Sequence, residues 1–257
     1  MVTSSLKRPI IIAGPCVIES KDILDTIAQH IANISQRNDV KIIFKASFDK
    51  ANRTSIESYR GVGIDHGVEM LADIKSRYGL SITTDIHEAW QAEVVAPVAD
   101  VIQIPALLCR QTDLIVAAAR TGNIVNIKKG QFLSARDMLH AYNKAASSGA
   151  REVWLTERGN TFGYNNLVVD FRNIPQMREF ADRVIMDCTH TVQLPNIDSG
   201  RSGGEREYIP AMALAAKAFG AEGYFFEVHP SPDVAMCDGK NSLKLDELED
   251  IIKIIVR

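Results

Sequence analysis

The chain has 257 residues, 46% of them hydrophobic and 24% charged, with a formal net charge of -3. That length is enough for one large core and suits a single domain, while a mildly acidic balance, with a pI near 6.1, argues against nucleic acid or an anionic membrane as the main partner. No apolar run approaches bilayer-spanning length, residues 1–8 have no apolar core of signal-peptide length, and four cysteines without a CxxC spacing do not suggest a disulfide scaffold. The expectation is a reduced, cytoplasmic protein.

Short β-prone runs recur along the chain: Ile10-Ile11-Ile12, Ile42-Ile43-Phe44, Ser81-Ile82-Thr83, Val101-Ile102-Gln103, Ile124-Val125-Asn126-Ile127, Val153-Trp154-Leu155, Val184-Ile185-Met186 and Tyr224-Phe225-Phe226. Their spacing, roughly 20 to 40 residues, suits repeated βα units and a parallel sheet. Helical patterns lie between them. Ser20 caps a segment with Ile23, Leu24, Ile27, Ile31 and Ile34 on one face. Val68, Leu71, Ile74 and Tyr78 form a second stripe that Gly79 stops, and Thr112 opens a third that runs to Gly122. Ser134 and Asp137 form a capping-box pattern ahead of Met138, Leu139, Tyr142 and Ala145. Pro175 marks the start of the next helix, where a proline is tolerated. Residues 207–219 are Ala-rich, and Leu245, Leu248, Ile251, Ile252 and Ile255 close the chain as an amphipathic helix. Eight such units without a break in composition predict one (β/α)8 barrel over residues 1–257. A doubly wound sheet is the alternative, but Gly14-Pro15-Cys16 cannot serve as a dinucleotide fingerprint. Residues 159–166 and 196–206 are irregular, and the second, Gly- and Ser-rich, suggests a mobile lid. Trp90 and Trp154 are expected in the core.

In a barrel the chemistry gathers at the C-terminal strand ends. The second run leads straight into Lys45, Ser47, Lys50, Asn52, Arg53, Thr54 and Ser55, cations and hydrogen-bonding side chains suited to oxyanions. The other runs lead to Cys16, Asp85, Gln103, Lys128 with Lys129, Glu157 with Arg158, Asp187 with His190, and Glu227 with His229. A solvated basic rim is the plain alternative for one or two such ends, but not for all eight. Lys45, Gln103, Lys129 and Arg158 facing one another would suit a substrate carrying phosphate and carboxylate. Lys50, Asn52, Arg53 and Ser55 could hold a second phosphate, so two phosphorylated substrates or one long bisphosphate are implied. Cys16, His190, Glu227 and Asp238 suit a borderline divalent ion such as zinc, iron(II), manganese or cobalt. Their spacing matches no local metal motif; a buried structural cysteine and a hydrogen-bonded core histidine are the competing readings. Cys109, Cys188 and Cys237 have no evident partner and receive no chemistry, and His229 is expected to shape its loop.

Residues 14–20 (GPCVIES), 44–53 (FKASFDKANR), 100–114 (DVIQIPALLCRQTDL), 126–132 (NIKKGQF), 156–171 (TERGNTFGYNNLVVDF), 187–195 (DCTHTVQLP) and 227–238 (EVHPSPDVAMCD) together resemble the 3-deoxy-D-manno-octulosonate 8-phosphate synthase family. The resemblance spans nearly the whole chain. It implies a (β/α)8 barrel, usually a homotetramer, that condenses phosphoenolpyruvate with D-arabinose 5-phosphate and releases phosphate, in lipopolysaccharide sugar synthesis. Under it, Lys45, Ser47, Gln103, Lys129 and Arg158 correspond to phosphoenolpyruvate contacts, and Lys50, Asn52, Arg53 and Ser55 to the arabinose 5-phosphate side, with Asp85 near the sugar hydroxyls. Catalysis is expected of Lys45, Lys50, Asp85, Lys129, Arg158 and His190. The family divides into metal-dependent members with Cys after the first strand and metal-independent members with Asn there. Cys16, with His190, Glu227 and Asp238, places this chain among the former. Arg110 corresponds to a substrate-binding arginine that reaches a neighbouring subunit's site, but Leu107 stands where many members have Phe. The related 3-deoxy-arabino-heptulosonate 7-phosphate synthases, which use erythrose 4-phosphate, typically carry Lys-Pro-Arg-Thr in the second loop; Lys50-Ala51-Asn52-Arg53 departs from it. A barrel that binds sugar phosphates without catalysis is the alternative of a different class.

Overall fold

β-Branched side chains are stiff at χ1 and pack well on a pleated surface, so runs rich in them favour extended backbone. The computed structural model describes residues 8–53, 55–161, 166–198 and 201–256. Thr54, the middle of the 156–171 motif (162–165) and the tip of the 196–206 segment (199–200) lie outside the described residues. All eight runs form strands: β1 (Ile10–Gly14), β2 (Ile42–Lys45), β3 (Ser81–Asp85), β4 (Val101–Ile104), β5 (Ile124–Lys128), β6 (Val153–Glu157), β7 (Arg183–Asp187) and β8 (Gly223–His229). Each pairs in parallel with the next, and β8 pairs in parallel with β1, which closes the ring.

Alternation along the strands then sorts every side chain. Ile10, Ile12, Ile43, Val101, Ile124, Trp154, Ile185 and Phe225 form one buried cluster inside the ring. Residues of the opposite parity, such as Ile11, Phe44, Ile82, Ile102, Val125, Leu155, Val184 and Phe226, join the apolar faces of the helices in the larger outer cluster. The registers keep the parity in phase around the ring; for example, Ile12 lies opposite both Ile43 and Phe225, and Gln103 opposite Asn126. Continued upward, the inner face carries Lys45, Asp85, Gln103, Asn126, Lys128, Thr156, Arg158, Asp187 and Glu227, all buried.

The helices follow their caps. The Ser20 side chain accepts the Ile23 N–H at the start of α1 (Lys21–Asn38), and Gly79, at φ 65, ends α2 (Ile64–Tyr78) in the left-handed conformation that glycine adopts without strain. A short helix, α3 (Gln91–Val95), was not expected, because five residues are too few for a periodic stripe. Next comes α4 (Thr112–Arg120). Ser134 and Asp137 bond each other as a capping box would, but one turn ahead of α5 (Met138–Ala146). The next helix, α6 (Asn173–Arg178), starts two residues before Pro175, which sits in its first turn, where a missing N–H leaves no bond unmade. Single 3-10 turns lead into α7 (Ile209–Ala218) and α8 (Leu248–Val256). Trp90, expected inside, is 55% exposed: it precedes α3 and turns its indole N–H to the Glu88 carboxylate, 2.7 Å away. Trp154 is buried as expected. The segment read as an irregular lid is largely an antiparallel pair, Gln193–Asp198 against Arg201–Gly204. Among the described residues no helix is long and apolar enough to cross a membrane.

Candidate active site

Inner-face parity puts a belt of polar side chains above the apolar floor of the barrel. Asp85 accepts from the Ser47 hydroxyl and the Gln103 amide. Asn126 then donates to Gln103 Oε1 at 3.1 Å, and Thr156 to Asn126 Oδ1 at 2.7 Å. Each group is satisfied by the next, as buried polar groups must be. Burial alone would raise the Asp85 pKa, but Lys45, Lys50 and Lys128 together hold it far below the usual carboxylate range.

Four cations stand around this belt. Lys45, buried at the end of β2, donates to Glu227 Oε1 at 2.8 Å and to the Cys16 carbonyl at 2.9 Å. Lys50 Nζ lies 3.7 Å from Glu227 Oε1 and 4.0 Å from Asp85 Oδ2. Burial would lower its pKa, but the Cys16 sulfur and the Glu227 carboxylate, ahead of Cys237 and Asp85, hold it well above the ordinary lysine value. Lys128 reaches Asp187 Oδ2 at 2.8 Å, 3.7 Å above the Phe225 ring. Arg158 is 5% exposed; its Nη2 contacts Gln193 Oε1 at 3.5 Å, and its Nη1 has no partner among the described residues. Burial lowers the pKa of both Lys128 and Arg158.

Lys129, predicted as the strand-five cation, is not in this group. It belongs to the outer parity, is fully buried, and its ammonium donates to Asn160 Oδ1 at 2.9 Å and the Leu133 carbonyl at 3.2 Å, with Glu157 Oε1 3.6 Å away. Its neighbour Lys128 takes the mouth position. The signal was present in the sequence: Asn126 and Lys128 are two apart on one strand and share a face. Of the predicted second-anion residues, Asn52 and Ser55 are exposed on the loop, while Arg53 donates to Cys237 Sγ at 2.9 Å and to the Met236 carbonyl at 3.1 Å. Arg110 and Leu107 are exposed in the segment that follows β4.

The predicted metal donors fall in two overlapping groups that share Asp238. Imidazole nitrogen of His190 and carboxylate oxygens of Glu227 and Asp238 lie within 4.8 Å of one another, as do Cys16, Cys237 and Asp238. Cys16 Sγ is 3.3 Å from Asp238 Oδ2 and 2.7 Å from Cys237 Sγ, so Cys237, to which no chemistry was assigned, borders the cluster. Burial, then the Cys237 contact, pushes the Cys16 thiol well up. Asp238 is held in the left-handed region, φ 49, with Gln193 donating to its Oδ1 at 3.2 Å. His190 Nδ1 faces Asp187 Oδ2 at 2.8 Å, and its Nε2 is 3.5 Å from Glu227 Oε2. That Glu227 oxygen is buried without a hydrogen-bond partner among the described residues. A buried acceptor with no donor, set among sulfur, imidazole and carboxylate, fits a borderline divalent cation. His229 stays outside the cluster, accepting the Ser231 N–H and lying 3.6 Å from Glu19, as a loop-shaping residue would.

The model of the DAHP synthetase I family matches residues 4–257. Curated relatives named 2-dehydro-3-deoxyphosphooctonate aldolase include one from Fusobacterium nucleatum, 50% identical over 256 residues, covering 100% of this chain and 92% of the relative. One from Desulfatibacillum aliphaticivorans is 51% identical, covering 95% and 89%, and one from Helicobacter hepaticus is 51% identical, covering 95% and 94%. The chain belongs to the DAHP synthetase I family, and within it to the group that carries the 2-dehydro-3-deoxyphosphooctonate aldolase name.

Proposed function

We propose that the chain condenses phosphoenolpyruvate with D-arabinose 5-phosphate and water, giving 3-deoxy-D-manno-octulosonate 8-phosphate and inorganic phosphate, in the cytoplasm and as a homotetramer. The observation that carries this reading is the inward ring of Lys45, Lys50, Lys128 and Arg158 set against the Cys16, His190, Glu227 and Asp238 donors. The name of the relatives describes the same eight-carbon sugar acid. Lys128 and Arg158 are suited to the phosphate of phosphoenolpyruvate, and Lys45 and Gln103 to its carboxylate. Arg158 Nη1, without a partner among the described residues, offers a donor for that anion. Lys50 and Asp85 would face the sugar aldehyde and hydroxyls, and Asn52, Arg53 and Ser55 its phosphate, with Arg110 supplied to a neighbouring subunit's site.

The enol C3 of phosphoenolpyruvate attacks the aldehyde carbon, whose oxygen takes a proton as the C–C bond forms. C2 gains oxocarbenium character, water adds there, and the resulting hemiketal phosphate loses phosphate by C–O cleavage. Fixed cations hold the two substrates at reacting distance, where positioning supplies several kcal/mol (about 7–11 at the limit). Lys50 would meet the negative charge that grows on the aldehyde oxygen, in a buried site where such contacts are strong. The two-stranded segment from Gln193 begins at the Arg158 contact, so it can cover the anion and keep stray water out. Cys16, His190, Glu227 and Asp238 would hold a divalent ion of the zinc, iron(II), manganese or cobalt class, which when bound supplies Lewis-acid polarisation of a substrate oxygen.

Phosphate release from phosphoenolpyruvate, measured with each sugar phosphate and with or without a chelator, tests the reading. Release with the five-carbon sugar, lost on chelation and restored by metal, is expected. Preference for erythrose 4-phosphate would assign the other activity of the family, and binding without release would leave a sugar-phosphate-binding barrel.

A further inference from the structure

Asp187 ends β7 with no exposed surface and collects donors on both oxygens. Its Oδ1 accepts the backbone N–H groups of Thr189 and His190 at 3.2 and 2.9 Å and the Thr189 hydroxyl at 3.2 Å. Its Oδ2 lies 2.8 Å from both Lys128 Nζ and His190 Nδ1. An ionised carboxylate can only accept, so the ring nitrogen facing it must carry a hydrogen. In the neutral imidazole, the form that binds a metal, the other nitrogen, Nε2, keeps the lone pair, and it faces Glu227 Oε2, itself an acceptor with no donor among the described residues, 3.5 Å away. Two lone pairs opposed in a buried site repel unless a cation lies between them.

We propose that Asp187 is a positioning residue: it fixes His190 as the tautomer that presents Nε2 to the ion, with Lys128 as its buried counter-charge. The proposal rests on the metal-dependent reading above. It differs from ordinary buried ion pairing in what it fixes, which is the position of one proton on one ring rather than the packing of β7. The carboxylate is itself over-determined, held by the Thr189 and His190 amides on one oxygen, so the ring cannot swing without breaking the other.

The test is zinc affinity, read by chelator competition on the full chain, together with nitrogen NMR of the zinc-loaded protein labelled at histidine. Asp187→Asn is expected to weaken zinc binding about 10–100-fold, because an amide can present N–H toward Nδ1 and favour the wrong tautomer. Thr189→Val removes the hydroxyl that donates to Asp187 Oδ1 and accepts the Glu227 N–H, touches neither Asp187 Oδ2 nor His190 Nδ1, and should weaken zinc binding much less than Asp187→Asn. In the wild-type protein the spectrum should place the metal on His190 Nε2 with the proton kept on Nδ1, a readout available even if Asp187→Asn does not fold. Zinc bound through Nδ1, undiminished affinity in Asp187→Asn, or equal losses in Asp187→Asn and Thr189→Val would each overturn the proposal. A wild-type chain that binds no zinc, manganese or iron(II) would instead remove the metal reading beneath it.

Discussion

At the scale of single residues, the adjacent lysines after β5 carry the clearest lesson. Lys128 faces Asp187 inside the ring, and Lys129 faces Asn160 and Glu157 outside it. Lys128→Met is therefore expected to lower kcat/KM about 100-fold or more, the loss usual for one charge-stabilising donor. Lys129→Met should instead lower stability, by about 3 kcal/mol where a buried Glu157 is left uncompensated, and spare the catalytic step. Steady-state kinetics beside urea unfolding of the two variants separates these outcomes. Asp85 gives a pH signature. Its folded pKa is depressed, so the stability it contributes is complete above the ordinary aspartate value, about 3.9, and is lost as pH falls below it toward the folded pKa. The thermal midpoint of the wild type should drop on that acid limb more steeply than that of Asp85→Asn. The chemical types at the strand ends were plain in the sequence. Which of two neighbouring lysines points inward is decided by alternation that runs past the last apolar residue, and it is Lys128 rather than Lys129.

At the scale of elements, strands announced themselves because β-branched runs bounded by polar residues have few other uses. The five-residue helix Gln91–Val95 and the pairing of Gln193–Asp198 with Arg201–Gly204 did not, one being shorter than a periodic stripe and the other held by backbone bonds between Gly- and Ser-rich segments. Cys237 was also out of reach, because its approach to Cys16 depends on how the loop after β8 folds back over β1. β1 and β2 also lie close at their tops, where Val17 pairs with Ser47. A Cβ on Gly14 would run into the Lys45 carbonyl oxygen, a backbone atom that cannot step aside. Gly14→Ala is expected to cost about 2 kcal/mol or more and to lower metal content, since it displaces Lys45 and Cys16 together. Denaturant midpoints and metal analysis of the purified variant check both.

At the scale of the whole molecule, the ring imposes one phase on eight strands, and a single face thereby inherits nearly all the chemistry. Lys129, on the outer parity, and the exposed Asn52, Ser55 and Arg110 are among the exceptions. If Arg110 serves a neighbouring copy, Arg110→Ala should raise the KM for arabinose 5-phosphate at least tenfold while leaving that for phosphoenolpyruvate and the mass of the assembly in solution unchanged. Kinetics and light scattering read the two arms. The closing pair of strands has a further consequence. Cys16 and Asp238 are separated by 222 residues, yet both belong to one donor cluster. A nascent chain emerging from the ribosome thus displays Cys16 long before Asp238 exists. Under the proposed metal reading, an ion could be captured only once β8 has docked beside β1, so a loaded centre would certify that the ring has closed.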